Sequence, residues 1–218
     1  MKVWIAPFLF FVLFLRLSGF NLYAATKGEE IFINRACWVC HGKEAQGNKT
    51  LGAPSLAGQD QVYLERQLHN FNVGIRGYHP KDIFGKAMRQ MAIFSQADRK
   101  EVAIYLNQLK PTSFSRTVVG SAAKGQAVFA TCAACHGPDA RGMPQMNAPS
   151  LVILNDWYLE NQILSFKHGW RANAKAAGVK ANEEDQIGAA MPPMVQNLST
   201  EEIKNLIAYI YSLRFQKK

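Results

Sequence analysis

The sequence predicts an all-α fold, built as a tandem repeat of two small helical domains. Three observations carry that prediction. The first is an internal repeat. Adding 95 to a residue number maps Cys37, Cys40 and His41 onto Cys132, Cys135 and His136. The same shift maps Ala53-Pro54-Ser55-Leu56 onto Ala148-Pro149-Ser150-Leu151, Tyr63-Leu64-Glu65 onto Tyr158-Leu159-Glu160, and Gln67, Phe71, Gly74 and Arg76 onto Gln162, Phe166, Gly169 and Arg171. Further on, Ser95, Tyr105 and Leu109 match Ser199, Tyr209 and Leu213 at an offset of 104. The second observation is helical spacing of apolar residues, as in Val102, Tyr105, Leu106 and Leu109. The third is helix-start chemistry: Ser95 and Ser199 precede Asp98 and Glu202 by three residues, a capping-box arrangement. No stretch alternates as a strand would.

The elements follow in order. A first helix is expected over about 27–36, delivering the first Cys pair, with a counterpart over about 123–131. Gly-containing loops follow at 42–52 and 137–148. A middle helix covers about 61–73, with Val62, Leu64, Leu68 and Phe71 apolar, and is repeated over 157–168. Final helices span about 96–109 and 200–213, and irregular segments precede them. The expected division is a leader at 1–25, a first domain at 26–112, a linker at 113–120 and a second domain at 121–218. A domain of about 90 residues has a thin core, and a large apolar cofactor would supply much of the surface it buries.

Cys37-Trp38-Val39-Cys40-His41 and Cys132-Ala133-Ala134-Cys135-His136 both have the pattern C-x-x-C-H, the attachment signature of a c-type haem. Two thiols three residues apart reach the two vinyl groups of one porphyrin edge, and the His that follows lies under the iron. Other readings of the same residues are a redox dithiol or a four-thiolate zinc site. The dithiol reading needs neither the His nor a second copy, and the zinc reading leaves both His without a task. The chain has four Cys. All lie in the two motifs, so none remains for a structural disulfide or a separate nucleophile. The expected cofactors are two covalently bound haem c groups, with Cys37, Cys40, Cys132 and Cys135 as attachment points and His41 and His136 as iron ligands.

One axial position remains on each iron, and His or Met fills it; Met raises the reduction potential. The candidates are Met88, Met91, His69 and His79 in the first half, and Met191, Met194, Met143, Met146 and His168 in the second. Met88/Met91 and Met191/Met194 occupy equivalent places just before each final helix, where the chain must cross the open haem face. The His residues do not match one another in the repeat and are expected at or near the surface. Pro54 and Pro149 each follow a motif His by 13 residues. A metal-bound imidazole donates its other N–H to a carbonyl or carboxylate, and a Pro carbonyl suits that task. A plain loop proline is the other reading.

Length, charge and composition set further bounds. At 218 residues, 48% hydrophobic and 19% charged, the chain suits a globular protein. Its formal charge is +9, and loss of Lys2 and Arg16 with a leader lowers it by two. Basic residues are scattered without a recognition motif, so no nucleic-acid partner is expected. Val3 to Leu15 form a 13-residue apolar run, short for a membrane span, interrupted by Arg16 and followed by Leu22-Tyr23-Ala24-Ala25. An uncleaved anchor would place Arg16 in the membrane at a cost of about 3 kcal/mol, which favours a cleaved signal peptide.

Together these marks resemble the diheme cytochrome c4 family, two class I cytochrome c domains in one chain. The resemblance covers essentially all of the chain after the leader. It rests on the two C-x-x-C-H motifs, Pro54-Ser55-Leu56-Ala57-Gly58-Gln59, the helix from Tyr63-Leu64 to Gly74 followed by Arg76, the Met pairs, and the closing Ser-x-x-Asp helix with Tyr105. It implies Met88 and Met191, the earlier Met of each pair, as iron ligands. Val152-Ile153-Leu154 departs from the family's Ala-Gly-Gln, and the segment 173–188 is longer.

The resemblance implies a periplasmic one-electron carrier rather than an enzyme. It would link a quinol-oxidising complex or dehydrogenase to a terminal oxidase or reductase, through redox partners with acidic docking surfaces, with peripheral membrane association as an option. Two other readings stay open. One is a diheme redox enzyme, such as a peroxidase or a sulfur-compound oxidase. The other is a membrane-held cytochrome subunit of a respiratory complex.

Overall fold

The computed structural model describes residues 25–173, 178, 185 and 187–215; the expected leader lies almost wholly outside them. In the first domain the helices are α1 (Lys27–Asn34), α2 (Cys37–His41), α3 (Gln61–Asn72), α4 (Ile83–Met91) and α5 (Gln96–Gln108). The second has α6 (Ala122–His136), α7 (Asp156–Lys167), α8 (Met191–Val195) and α9 (Thr200–Leu213), with 3-10 turns at Pro144–Met146 and Gly188–Ala190. Among the described residues there is no strand; isolated bridges join Asn48 to Ala53 and Met143 to Ala148, one pair the repeat of the other.

Each domain is built on a close crossing of its first and last helices. Gly28 on α1 and Gly125 on α6 make the crossings possible: an added Cβ would sit 2.2 Å from the Glu101 carbonyl oxygen and 1.9 Å from that of Asn205. One turn further on, Phe32 meets Tyr105 and Phe129 meets Tyr209, with ring centroids 5.6 and 5.4 Å apart. The first core gathers Ile31, Phe32, Leu64, Phe71 and Leu106, and the second Phe129, Trp157, Phe166, Ile203 and Ile207. Burial of such side chains contributes about 1.5–3 kcal/mol each before entropy is charged against it.

Helix starts obey the expected chemistry, with one instructive difference. Ser199 and Glu202 form a full capping box. At α5, Ser95 accepts from the Asp98 N–H, but the return bond is missing. Asp is one methylene shorter than Glu and does not reach back to the cap.

Two expectations are corrected. The Cys pairs are not delivered beyond a helix end; they are themselves helical. In the second domain α6 runs unbroken through His136, where Ala133 and Ala134 favour helix. In the first, Ala36 turns left-handed at φ 54° and α2 restarts at Cys37. There Arg35 is drawn aside, donating to the Ile93 carbonyl at 2.8 Å and stacking 4.4 Å over Phe94. The segments before the final helices are not irregular: Met88 and Met91 lie on α4, and Met191 and Met194 on α8. Asp82 caps α4 through the Gly85 N–H, a start signal that sequence reasoning passed over.

The expected linker is fastened to the second domain. The Asp156 carboxylate accepts from the backbone N–H groups of Thr117 and Val118, Val118 is buried in the second core, and Phe114 lies under the Arg214 guanidinium.

The repeat reappears as an approximate two-fold relation between the domains, as the hydrogen bonds across their interface show. Arg76 donates to Gln67 of its own domain at 2.9 Å, and to Tyr158 and Gln162 of the other at 2.6 and 2.9 Å. Arg171 donates to its own Gln162 at 2.6 Å, and across to Tyr63 and Gln67 at 3.5 and 2.9 Å. Every partner maps onto its counterpart by the 95-residue shift. The loops follow suit. Gln59 brackets the backbone of Ser150, accepting its N–H and donating to its carbonyl, both at 3.0 Å. The Ser55 N–H donates to Asn155 at 2.7 Å. Leu154 stands where the repeat places Gln59, and Asn155, one residue later, supplies the missing side-chain carbonyl.

Candidate functional site

The motif His residues are buried and held alike. His41 Nδ1 lies 2.8 Å from the Pro54 carbonyl oxygen, and His136 Nδ1 lies 3.0 Å from that of Pro149. A bond from Nδ1–H to the carbonyl leaves Nε2 unprotonated, the tautomer that can bind a metal. Burial pushes both imidazoles below the usual His range, with the Pro carbonyl working against it. Gly42 and Gly137 follow at φ 81° and 78°, turning the chain away directly after each His. The thiols are free. Burial raises those of Cys37 and Cys132, the more covered member of each pair.

A cavity of about 370 Å³ brings together Cys37, Cys40, His41, Pro54, Met88 and Met91, residues that the sequence singled out. The Met88 side chain is half-buried against the first core, whereas Met91 is 55% exposed. In the second domain Met191 is likewise half-buried against its core and Met194 is 47% exposed. Of the other candidates, His69 and His168 are exposed and His79 half-buried, and Met146 is exposed. The second domain also contributes to the first cavity, through Leu154, Tyr158, Gln162 and Trp170. A further cavity of about 370 Å³ beside α7 and α8 is lined by Phe166, Arg171 and Pro192, with Ile75 reaching in from the first domain. Ile75 and Trp170 are equivalent positions, but this second cavity does not bring together Cys132, Cys135, His136, Pro149 and Met191 as the first does their counterparts.

Among the described residues no three His, Cys, Asp or Glu side chains gather as a metal cluster, so the two Cys pairs do not form one four-thiolate site. The donor sets instead fit two separate, largely apolar cofactors bearing acidic groups. Arg76 and Arg171 are buried; among the described residues every hydrogen-bond partner of either guanidinium is a neutral amide or phenol, both Nε atoms lack a partner, and the Asp82 carboxylate acts on Arg76 only through space. Buried cations without a hydrogen-bonded anion are costly. Haem propionates are anions of the kind such a pair accommodates. The sequence showed Tyr63, Gln67 and Arg76 recurring as Tyr158, Gln162 and Arg171 but gave them no role. The usable signal was a polar Gln kept on the buried face of both middle helices.

The cytochrome c family model matches residues 25–110 and again residues 122–214. The chain belongs to the cytochrome c family. As a two-domain cytochrome c it carries two covalently bound haem c groups. Its similarity to diheme proteins extends over most of its length. It is 26% identical to cytochrome c4 of Azotobacter vinelandii over 81% of this chain and 84% of the relative. The solved structure of cytochrome c4 from Acidithiobacillus ferrooxidans superposes with a TM-score of 0.61 at 26% identity, covering 81% of this cytochrome and 98% of that chain. The CcoP subunit of the cbb3-type cytochrome c oxidase of Rubrivivax gelatinosus is 31% identical over 85% of this cytochrome and 53% of its own length. The cytochrome therefore spans about half of that relative. These likenesses place it with the diheme cytochrome c4 proteins. No helix among the described residues is long and apolar enough to cross a membrane.

Proposed function

We propose that this cytochrome is an exported carrier of single electrons, taking them from a quinol-oxidising complex or dehydrogenase and passing them to a terminal oxidase or reductase. Bound haem supplies the one-electron couple of its iron. In this reading Cys37, Cys40, Cys132 and Cys135 attach the two groups, and His41 and His136 are the proximal ligands. Pro54 and Pro149 fix the imidazoles. Met88 and Met191 fill the sixth positions, which leaves no iron open to a substrate. Arg76 and Arg171, with Gln67, Gln162, Tyr63 and Tyr158, hold the acidic edges of the cofactors at the domain interface. Met ligation and burial would raise the potentials of the bound groups.

The reading extends to the chain's organisation. A signal peptide at 1–25 sends domains at 26–112 and 121–218 to the periplasm. Partners are redox proteins whose docking surfaces are acidic, matching the positive charge of this chain.

The observation that carries the proposal is the duplicated His–Pro pairing beside each Cys pair. Mass spectrometry of the denatured protein tests it: two haem additions on one polypeptide are expected, and the bare polypeptide mass would contradict it. The likeness to CcoP favours one alternative, a cytochrome subunit held in a membrane complex. Extraction without detergent separates the two, since a free carrier is released and a held subunit is not.

A further inference from the structure

The two domains differ in the surface they present around the Cys pair. Ile33, Trp38, Val39 and Ile93 are 51%, 38%, 52% and 66% exposed. None of the four lines the first cavity. Backbone bonds hold their segments together: the Ala36 N–H bonds the Ile33 carbonyl, the Val39 N–H bonds that of Ala36, and Arg35 grips the carbonyl of Ile93. In the second domain the repeat replaces Ile33, Trp38 and Val39 by a half-buried Val128 and by Ala133 and Ala134. Scattered apolar exposure is ordinary, but a contiguous patch beside a cofactor edge marks an interaction surface.

Charge sharpens the difference. Lys43 and Lys49 flank the motif and the cavity mouth of the first domain, and Lys86 and Arg89 project from α4; all four are exposed and none forms an ion pair among the described residues. The repeat positions of Lys43 and Lys49 are Pro138 and Pro144. On that second loop the one cation, Arg141, is paired with Asp139 at 3.5 Å.

The geometry points to the first domain as the port of this cytochrome: a redox protein with an apolar centre and an acidic rim docks over Ile33, Trp38, Val39 and Ile93, with Lys43, Lys49, Lys86 and Arg89 around it. This rests on the electron-carrier reading and adds to it the domain, the face and its apolar centre. The apolar centre gives contact area and excludes water, while the cations steer encounter and act mainly on the association rate.

The test uses the ferric holoprotein and reduced plant-type ferredoxin, an acidic one-electron donor, in stopped flow. Lys43→Glu/Lys49→Glu is expected to lower the second-order rate about fivefold at low salt, the difference closing near about 0.5 M salt. Trp38→Ala/Val39→Ala, which copies the second motif, is expected to lower it about threefold at both salt levels, because apolar contact is not screened. Arg141→Glu should change it by less than about twofold. A larger loss in Arg141→Glu, or rates within twofold of wild type in both first-domain variants, overturns the proposal. So does loss of binding to phosphatidylserine vesicles in those variants with the ferredoxin rate unchanged, which would make the face a membrane surface. Dithionite separates this claim from its foundation. If dithionite reduces every variant normally, a missing ferredoxin effect sinks only the docking face. If it fails to reduce the wild type, the carrier reading falls too.

Discussion

The Arg76 guanidinium donates to the Tyr158 hydroxyl across the domain interface at 2.6 Å, and its repeat counterpart, Arg171 to Tyr63, stretches to 3.5 Å. The two-fold relation is therefore approximate, and the two tyrosines should not be equal in effect. Tyr158→Phe is expected to destabilise the holoprotein by about 1 kcal/mol, and Tyr63→Phe by less. Arg76→Met, which leaves the Tyr158 hydroxyl without its donor while Arg171 still serves Gln67 and Gln162, should cost about 1–3 kcal/mol. Urea titration followed by far-UV circular dichroism checks the order; equal losses for both tyrosines would deny the asymmetry.

The helix crossings give a test with an unusual sign. Gly→Ala in a helix interior ordinarily stabilises by up to about 1 kcal/mol. At Gly28 and Gly125 the new methyl would press on the backbone carbonyls of Glu101 and Asn205. Gly28→Ala and Gly125→Ala should each destabilise by about 1–3 kcal/mol, as overpacking does. Thermal melts decide, and a gain in stability in either would show that the helices can part.

Acid stability should carry the signature of the α9 cap. The Ser199 backbone N–H, and then its hydroxyl, hold the Glu202 carboxyl below its ordinary value of 4.5. A depressed folded value means that the unfolded chain binds more protons, so stability rises with pH through this window. The contribution is present above about pH 4.5 and is lost as pH falls through the folded value. Glu202→Gln, which keeps the shape without the charge, should flatten the decline below that pH relative to wild type. Parallel acid-unfolding curves would remove the cap from the account.

Met88 and Met191 are the half-buried members of their pairs, and Met91 and Met194 the exposed ones. A soft, neutral thioether favours ferrous iron, so its loss lowers the potential of its haem. Met88→Ala and Met191→Ala are each expected to remove Met coordination from one haem while both stay attached; Met91→Ala and Met194→Ala should disturb packing only. The weak long-wavelength band of Met-ligated ferric haem is the readout. Its survival in the first two variants and loss in the others would reverse the assignment within the pairs.

Much of this was legible because the repeat duplicates chemistry as well as pattern. Cys spacing, the Pro 13 residues after each His, and the caps at Ser95 and Ser199 are local features that the sequence states directly. What stayed hidden depends on contacts between distant residues. Beside the Ala36 break Arg35 reaches Ile93, 58 positions away. The role of Gln59 appears only when Ser150, 91 residues on, is brought beside it. Helix α4 is short and carries Gly85, so the segment before the final helix looks irregular in sequence, although Asp82 is there to cap it. The Arg76 and Arg171 network needed both domains docked before two buried cations with no hydrogen-bonded carboxylate among the described residues could be seen.

The central claim is that two attached, Met-ligated haems exchange single electrons in one chain. A redox-titrated visible spectrum of the purified protein tests it most directly. The account predicts low-spin spectra in both oxidation states, a total of two electrons taken up per polypeptide, and the long-wavelength band in the ferric form at an intensity matching two haems. One electron per chain, or a high-spin ferric spectrum signalling an open iron site, would contradict it.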